Sequence, residues 1–353
     1  MQKVLTVKQI TIAIHHHQNS YSPKWIEYCQ THNIDYKLVN CYDSDILTQL
    51  EECDALMWHW GHSDYKAQLF ARQLIGALET KGFPVYPNAQ ASWYFDDKLG
   101  EKYLLESIGA PMVKSYAFYD KESALAWVNS TTFPKVFKLR NGAGSHNVQL
   151  IKDRTQAVAY VKRAFGRGFL ANHRGAVLAD KWWHFKRDRT LKSFLNISRG
   201  LYRYAIPHKK NRELPRERNY LYAQDFIEGC DHDVRVFVIG NRAVTKKRFV
   251  RDDDFRASGS GRMTWDIGQI PKECVEIAFQ TREKLGMPSV AFDFVMDQGE
   301  PKIVEISYAA SERGFPDCPG YWQRDLSWVK SPLRVEFFII EDLLKQIDSE
   351  ALS

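Results

Sequence analysis

The stretch that decides the fold is Ser289–Ser307, SVAFDFVMDQGEPKIVEIS. Apolar residues alternate on both sides of Gln298–Gly299, a pair with turn chemistry, so the pattern predicts two strands joined by a tight turn. Asp293 lies on the first strand and Glu305 lies on the second. Pairing around the turn would place the two carboxylates roughly opposite each other on one face of the hairpin.

These two carboxylates are candidate metal ligands. Unpaired acids in a largely apolar hairpin would shift strongly in pKa, so a counter-cation is the expected partner. Hard oxygen ligands suit magnesium, which takes carboxylates and leaves its other positions to water and phosphate. An edge hairpin with two solvated acids is the alternative that this stretch alone leaves open.

Length and composition indicate a globular protein of more than one domain. The 353 residues are too many for one ordinary core, and 44% of them are hydrophobic. No apolar run approaches the ~20 residues of a membrane span, and the N-terminus lacks a cleavable signal pattern. The six cysteines show neither a CxxC pair nor zinc-finger spacing. Free thiols in a reducing cytoplasm are therefore expected.

The net charge of +6 conceals a strongly basic segment. Residues 161–220 hold 16 lysines and arginines against 4 acidic residues, while the rest of the chain is acidic. Aromatic residues interleave with these cations, as in KWWHFKRDR, and could stack on bases or sugar rings while the cations meet phosphate or carboxylate. The segment predicts an anionic partner, and a solvated amphipathic insertion is the alternative.

The first 90 residues predict a small parallel sheet. Strands near residues 4–14, 36–39 and 55–60 alternate with helices from about residue 23, over 45–52 and over 66–80. Ligands of such sheets lie beyond the carboxyl ends of the strands. His15–His17 and Trp58–Asp64 follow two of these ends. A solvated loop is favoured over a metal site for the first, and a substrate-facing loop and an ordinary loop are equally open for the second.

A glycine-rich loop follows a strand that ends in Lys138. The loop, Gly142–Asn147, joins this strand to a second strand over 148–151, so it fits neither the Walker loop nor the Rossmann turn, both of which open a helix. A hairpin lid whose backbone N–H groups cover phosphates fits this context, with Lys138 beside them. A simple hairpin closed by glycines is the alternative.

The order of the motifs resembles the ATP-grasp superfamily. The chain runs DDK before a helix, FPKVFKLRNGAGSHNV, AQDFIEG followed by DVRVFVIG, KRFVRDDDFR, and AFDFVMDQGEPKIVEIS. Within the superfamily it is similar to the group of glutathione synthetase, the ribosomal-protein glutamate ligases and the lysine-biosynthesis carrier-protein ligases. The resemblance covers roughly residues 90–310.

The resemblance implies an α/β protein with the ATP-grasp fold, in which two α+β lobes clasp ATP behind an N-terminal parallel-sheet domain. The domains expected are residues 1–90 (the N-terminal unit), 91–165 (the central lobe with the glycine-rich lid), 166–220 (the basic insertion) and 221–353 (the C-terminal lobe with the metal site).

Site residues are implied position by position. Lysines and the glycine loop would contact the ATP phosphates. The segment Gln224–Ile227, which links the two lobes, would pair with adenine through its backbone. Asp233, with Asp231 as a fallback, would hold the ribose. The nucleotide set is Lys98, Lys138, Gly142, Gly144, Ser145, Gln224, Asp225, Phe226, Ile227 and Asp233. The magnesium set is Asp293, Glu305 and Ser307, and one or two ions are expected, with manganese as a substitute. Arg248 and Arg256 would stabilise the transferred phosphoryl group, unless they are surface arginines. Substrate contacts are expected from His59, His62, Ser258 and Arg313.

Two positions depart from the family pattern. The family normally has Asn two residues after the metal-binding Glu, and here that position is Ser307, whose hydroxyl is a poorer metal ligand than an amide oxygen. A second magnesium would therefore be bound more weakly, or through water. Ser258 stands where the glutamate-ligase relatives tend to have Asn.

The implied reaction transfers the ATP γ-phosphoryl group to a carboxylate, and an amine then attacks the acyl phosphate to form an amide or peptide bond. Such chemistry asks mainly for positioning and charge neutralisation, which cations, metal ions and backbone donors supply. The anionic acceptor expected near residues 166–220 is a sugar acid of a surface polysaccharide, with a polyglutamate tail or RNA also open. An ATP-grasp kinase acting on a hydroxyl and an inactive polymer-binding protein are the rival functions, and the oligomeric state is open, a homo-oligomer included.

Overall fold

The computed structural model describes residues 9–62, 64–142, 147–170, 181–182, 185, 189–190, 195–198, 201, 216–251, 254–257, 260–310, 315, 318–332 and 334–351. Most of the basic segment, and the centre of the glycine-rich loop, lie outside this part of the chain. Among the helices that it contains, none is both long and apolar enough to cross a membrane.

The N-terminal unit is a parallel four-stranded sheet in the order β2-β1-β3-β4. The predicted small parallel sheet is thus confirmed, with β4 as a strand beyond the three expected. Its elements are β1 (Thr11–His15), α1 (Ser22–His32), β2 (Asp35–Val39), α2 (Ile46–Gln49), β3 (Ala55–Met57), α3 (Tyr65–Thr80) and β4 (Val85–Tyr86). The helix expected over residues 45–52 is shorter than predicted. It ends at Gln49 because the following turn brings the side chains of Leu50 and Cys53 into the core.

The central lobe is an antiparallel sheet in the order β5-β10-β6-β7, with helices packed on it. Its elements are α4 (Ala89–Ser92), α5 (Lys98–Ser107), β5 (Ser115–Phe118), α6 (Lys121–Ser130), β6 (Lys135–Lys138), β7 (Val148–Ile151), α7 (Arg154–Ala164), and β10 (Leu221–Asp225) from beyond the basic segment. A separate two-stranded ribbon joins β8 (Phe169–Leu170) to β9 (Arg216–Glu217). Asp97 caps α5 by accepting hydrogen bonds from the N–H groups of Leu99 and Gly100, both at 3.1 Å, which fixes Lys98 at the first position of the helix.

The C-terminal lobe is a seven-stranded sheet in the order β15-β14-β11-β12-β16-β17, with β13 paired to β12. Its elements are β11 (His232–Ile239), β12 (Arg242–Phe249), β13 (Met263–Thr264), α8 (Lys272–Leu285), β14 (Ser289–Asp297), β15 (Glu300–Ser307), β16 (Gly320–Gln323), β17 (Trp328–Lys330) and α9 (Val335–Ala351).

The predicted hairpin is confirmed. Asp297 pairs with Glu300, and Gln298 and Gly299 between them have φ angles of 51° and 88°. Two successive positive φ angles are what a two-residue hairpin turn requires, since its twist then matches that of the strands. A register shift between Asp293 and Phe294 then makes Asp293 pair with Glu305 rather than with Val304, so the two carboxylates share one face.

One face of this sheet is apolar and the other carries charge. Val234, Val236, Phe292 and Phe294 are fully buried on the apolar face. On the other face, four neighbouring strands each contribute one charged residue to a row across the sheet. In order across the strands, these residues are Glu305, Asp293, Arg235 and Lys246. Because side chains alternate along a strand, this register gathers the charged residues of four segments at one surface.

The outer edge of β15 joins the two lobes. The N–H of Ile303 donates to the carbonyl of Pro111 at 2.8 Å, and its carbonyl accepts from Val113 at 2.9 Å. The N–H of Ile306 donates to the carboxylate of Glu101 on α5 at 3.2 Å. These bonds satisfy backbone groups that an edge strand would otherwise expose, and they fix the position of Glu305 relative to α5.

Candidate active site

A cavity of about 390 Å³ lies between the central sheet and the charged face of the C-terminal sheet. The residues of the sequence prediction that line it are His62, Lys138, Gln224, Asp225, Phe226, Ile227, Asp233, Arg256, Asp293, Glu305 and Ser307. The structure therefore brings together residues that span almost 250 positions of the chain. Apolar side chains, among them Val136, Val148 and Val295, line the same cavity.

Two lysines and two acids form a buried cluster at this cavity. The Nζ of Lys98 donates to Glu305 at 3.3 Å and to the carbonyl of Gly142 at 2.9 Å, and the Nζ of Lys138 lies 3.4 Å from the carbonyl of Val304. Burial lowers the pKa of Lys138 to about 8, against the opposing effect of Glu305. Burial also raises the pKa of Glu101 to about 8. The cluster thus holds cations suited to phosphate together with acids that offset them.

The first residue of the glycine loop, Gly142, is hydrogen-bonded to Asp96, the residue before the cap of α5. Asp96 accepts from the N–H of Gly142 at 2.9 Å and lies 3.1 Å from Nδ1 of His62. Gly142 has a φ of 132° and Asp96 a φ of 57°, both in the left-handed half of the backbone map. His62 at the N-terminal unit and the loop in the central lobe are therefore connected through one carboxylate. Gly144 and Ser145 lie outside the described residues.

Two arginines and two aspartates form a second charged cluster on the same sheet face. Arg235 donates to both oxygens of Asp293 at 2.6 Å, and Arg248 donates to both oxygens of Asp233 at 2.6 and 2.7 Å. Arg248 also lies 2.8 Å from Asp293. Burial raises the pKa of Asp293, but Arg235 and Arg248 outweigh it and hold that pKa well below its usual range.

The sequence predicted a counter-cation for Asp293 and Glu305, and in the structure side chains of the protein itself supply positive charge to both. Each carboxylate already has a cationic side chain within 4 Å, since Asp293 has two arginines and Glu305 has Lys98. Arg248 and Asp233, expected to act separately on phosphoryl group and ribose, are bonded to each other. The sequence prediction also missed Arg235, which lines the cavity. Its signal was present in the D-x-R pattern, since alternation places Arg235 on the same face as Asp233.

The segment Gln224–Ile227 borders the cavity, but two of its side chains bind the protein. The amide of Gln224 donates to the hydroxyl of Ser115 at 3.1 Å, and Asp225 pairs with Lys135 at 2.8 Å. A ligand in the cavity would therefore meet the backbone of this segment, the ring of Phe226 and the alkyl chain of Ile227. This arrangement suits a flat, largely apolar group such as a base.

The residues present fit one magnesium ion better than two. Within the described part of the chain, no three His, Cys, Asp or Glu side chains gather as a metal site. Glu305 borders the cavity and, with phosphate oxygens, forms a donor set of the kind that magnesium takes. The Ser307 hydroxyl donates to the carbonyl of Ala309 at 2.8 Å, so its proton is directed to the backbone two residues further on.

The remaining candidates lie in different surroundings. The expected substrate contact from His59 is corrected, because this residue is buried in the aromatic core. Its ring stacks on Tyr21 with ring centroids 3.8 Å apart, and its Nδ1 accepts a hydrogen bond from the N–H of Tyr21. Burial lowers its pKa to about 3, as expected for a neutral core histidine. Arg256 lines the cavity and pairs with Asp254, while Asp231 is exposed beside His232. Ser258 and Arg313 lie outside the described residues.

Comparison with known proteins bears on the fold. The sequence matches no protein-family model, and no curated protein is significantly similar to it. Solved structures are similar over almost the whole chain. A RimK-domain ATP-grasp protein from Sphaerobacter thermophilus has a TM-score of 0.56 at 15% identity, over 95% of this chain and 99% of its own.

Two further solved structures are similar as well. D-alanine–D-alanine ligase from Bacillus anthracis has a TM-score of 0.54 at 13% identity, over 97% of this chain and 99% of its own. D-cycloserine synthetase DcsG has a TM-score of 0.58 at 12% identity, over 96% of this chain and 99% of its own. Together with the lobes and the cleft between them, these similarities confirm the prediction from the motifs that this chain has the ATP-grasp fold.

Proposed function

We propose that the protein is an ATP-dependent carboxylate–amine ligase that forms an amide or peptide bond through an acyl phosphate. The observation that carries the proposal is the cleft itself. Lys138 and Glu305 line it together with the segment Gln224–Ile227, and the buried Lys98 donates to Glu305. Phosphoryl transfer requires positioned cations more than a nucleophilic side chain, and this is the inventory that the cleft offers. D-alanine–D-alanine ligase and the ATP-grasp ligase PsnB, both similar in structure, are ligases by name, which agrees with the proposal.

Each part of the cleft has a role in this proposal. The backbone of Gln224–Ile227 holds the base, and Lys98 and Lys138 bind phosphate oxygens. Arg235, held by Asp293, lines the cavity and in this proposal stabilises the charge that develops on the transferred phosphoryl group and on the oxygen of the tetrahedral intermediate. Magnesium, when bound through Glu305, supplies further neutralisation of the phosphates.

The acceptor is proposed from the basic segment. Because residues 161–220 are strongly basic and rich in aromatic residues, they suit an anionic, ring-containing acceptor such as a sugar acid of a surface polysaccharide. This proposal rests on the sequence of the segment alone.

A hydroxylamine assay tests the function. The protein is incubated with ATP, magnesium, hydroxylamine and a panel of sugar acids, amino acids and dicarboxylates, and both ADP and hydroxamate are measured. A ligase gives hydroxamate and ADP together with its own carboxylate, and Glu305→Gln serves as the inactive control. ADP and a phosphorylated hydroxyl product without any added amine would favour the kinase. Tight binding of a non-hydrolysable ATP analogue, with no turnover for any acid, would favour the inactive binding protein.

A further inference from the structure

We propose that the cleft binds a single divalent cation with its nucleotide, through Glu305, and that the Arg235–Asp293–Arg248 cluster excludes a second one. The proposal rests on the proposed function, since it concerns the metal that accompanies ATP. In this proposal Asp293 positions Arg235 and Arg248, and Glu305 is the side chain that binds the cation.

The oxygens of Asp293 are already engaged by charged donors. Its Oδ1 accepts from Nε of Arg235 at 2.6 Å, and its Oδ2 accepts from Nη2 of Arg235 at 2.6 Å and lies 2.8 Å from Nη2 of Arg248. Parallel bonds from a planar guanidinium to a carboxylate are among the strongest that proteins form. These bonds and the contact with Arg248 occupy most of the lone-pair sites of the carboxylate, so a metal at Asp293 would compete with them and would lie against two positive groups.

The position two residues after Glu305 offers no replacement ligand. Ser307 has its hydroxyl within 2.8 Å of the carbonyl of Ala309, and the same hydroxyl is 3.4 Å from the N–H of Ala309. The hydroxyl is thus part of a local turn. A hydroxyl in this arrangement binds magnesium less well than carboxylate or carbonyl oxygens.

Glu305 has a different environment. Among the described residues Lys98 is the one cation within 4 Å of its carboxylate, and their separation of 3.3 Å is long for a charge-assisted bond. Its side chain is 31% exposed, against 10% for Asp293. Of the two acids, Glu305 is therefore the one that a cation arriving with a triphosphate can reach.

Counting bound manganese tests the proposal without knowledge of the carboxylate or the amine. The protein is saturated with AMPPNP and titrated with Mn²⁺, and free Mn²⁺ is measured by electron paramagnetic resonance. We expect one Mn²⁺ per bound nucleotide, and two would overturn the proposal. Failure to bind AMPPNP at all, with or without Mn²⁺, would instead refute the proposed function.

Variants test which residue determines the number of Mn²⁺ ions bound per nucleotide. Arg235→Met removes both hydrogen bonds of Arg235 to Asp293, leaves only Arg248 beside that carboxylate, and should allow a second Mn²⁺ to bind. Lys247→Met, next to Arg248 but on the opposite face of β12, should leave one. Ser307→Ala should keep the number at one and the Mn²⁺ affinity within about twofold of wild type, while Glu305→Gln should weaken Mn²⁺ binding at least about tenfold. A tenfold loss in Ser307→Ala, or no loss in Glu305→Gln, would overturn the assignment of the ligand. Circular dichroism checks that each variant is folded. If Arg235→Met is not folded, the number of Mn²⁺ ions bound by the wild-type protein still tests the proposal.

Discussion

The backbone N–H of Gly142 donates a hydrogen bond to the carboxylate of Asp96 at 2.9 Å, across 46 positions of the chain. Asp96 also meets His62 and, at 3.3 Å, the amide of Gln68, so the first residue of the glycine loop is tied to the N-terminal unit. The place from which a phosphate lid would start is thereby fixed before any nucleotide arrives.

Replacing Asp96 with alanine should weaken nucleotide binding. The loop loses its anchor, and more conformational freedom must then be lost when it closes over phosphate. We expect the Kd for magnesium–AMPPNP to rise about three- to tenfold, measured by calorimetry. Asp120→Ala, which removes a helix cap on the distant α6, is the control and should leave the Kd unchanged. Equal affinities for wild type and Asp96→Ala would show that the anchor has no role in binding.

Glu305→Gln should reduce magnesium-dependent ATP turnover at least about a hundredfold, a loss of about 2.7 kcal/mol in the stabilisation of the transition state. The variant removes the carboxylate proposed to hold the metal and keeps the size of the side chain. Glu300→Gln, at the other end of β15 and paired with Lys302 at the surface, is the matched control and should retain activity. Turnover of Glu305→Gln close to that of wild type would contradict the metal assignment.

Nucleotide affinity should fall as the pH rises through about 8. Burial lowers the pKa of Lys138 to about 8 and raises the pKa of Glu101 to about 8. Above that pH the lysine loses its positive charge and the glutamate gains a negative one, and both changes weaken the attraction for a triphosphate.

Lys138→Ala should bind AMPPNP at least about tenfold more weakly at pH 7 and show a shallower dependence on pH. Lys152→Ala, an exposed lysine just after β7, should behave as wild type in both respects. Calorimetry at pH 7 and pH 9 measures both effects. An identical pH dependence in wild type and Lys138→Ala would show that this lysine does not titrate against the nucleotide.

His59 should make the fold sensitive to mild acid. Its pKa is lowered to about 3 in the folded protein by burial, whereas an unfolded histidine titrates near 6.5. The unfolded state therefore binds a proton that the folded state does not, and stability falls as the pH drops below about 6.5. Between pH 7 and pH 5 the loss is about 2 kcal/mol.

His59→Asn tests this effect, because its side-chain oxygen can still accept the N–H of Tyr21 but does not titrate. The variant should be less stable than wild type at pH 7, since it loses the ring that stacks on Tyr21. Its free energy of unfolding should nevertheless fall less between pH 7 and pH 5, as measured by urea denaturation at both values. Parallel losses in the two proteins would assign the acid sensitivity to other groups.

Much of the fold was predictable because it depends on local patterns. Alternation and the turn at Gln298–Gly299 predicted the hairpin. The turn alone would pair Asp293 with Val304, and a register shift between Asp293 and Phe294, which the sequence did not predict, brings Glu305 opposite Asp293 instead. Helix α5 was predictable from its capping aspartate and the glycine that follows it. The order of five motifs predicted the ATP-grasp fold even though no single motif was specific.

Other features depended on which segments became neighbours. Alternation shows that Asp233 and Arg235 share a face of β11, but only the placement of β14 beside β11 sets Arg235 against Asp293, 58 residues away. The same holds for Glu101, whose bond to Ile306 spans 205 residues. His59 could not be distinguished from His62 by sequence, since both lie in the same short loop after β3.

By itself, then, the sequence determined the strands, the turns and the residue types available to the cleft, because each follows from interactions between residues close together in the chain. Only the tertiary structure decided which charges neutralise one another. Pairing of strands and burial set the distances between Arg235, Asp293 and Arg248, and at a few ångströms in a buried site those distances determine whether a carboxylate holds an arginine or is open to a metal.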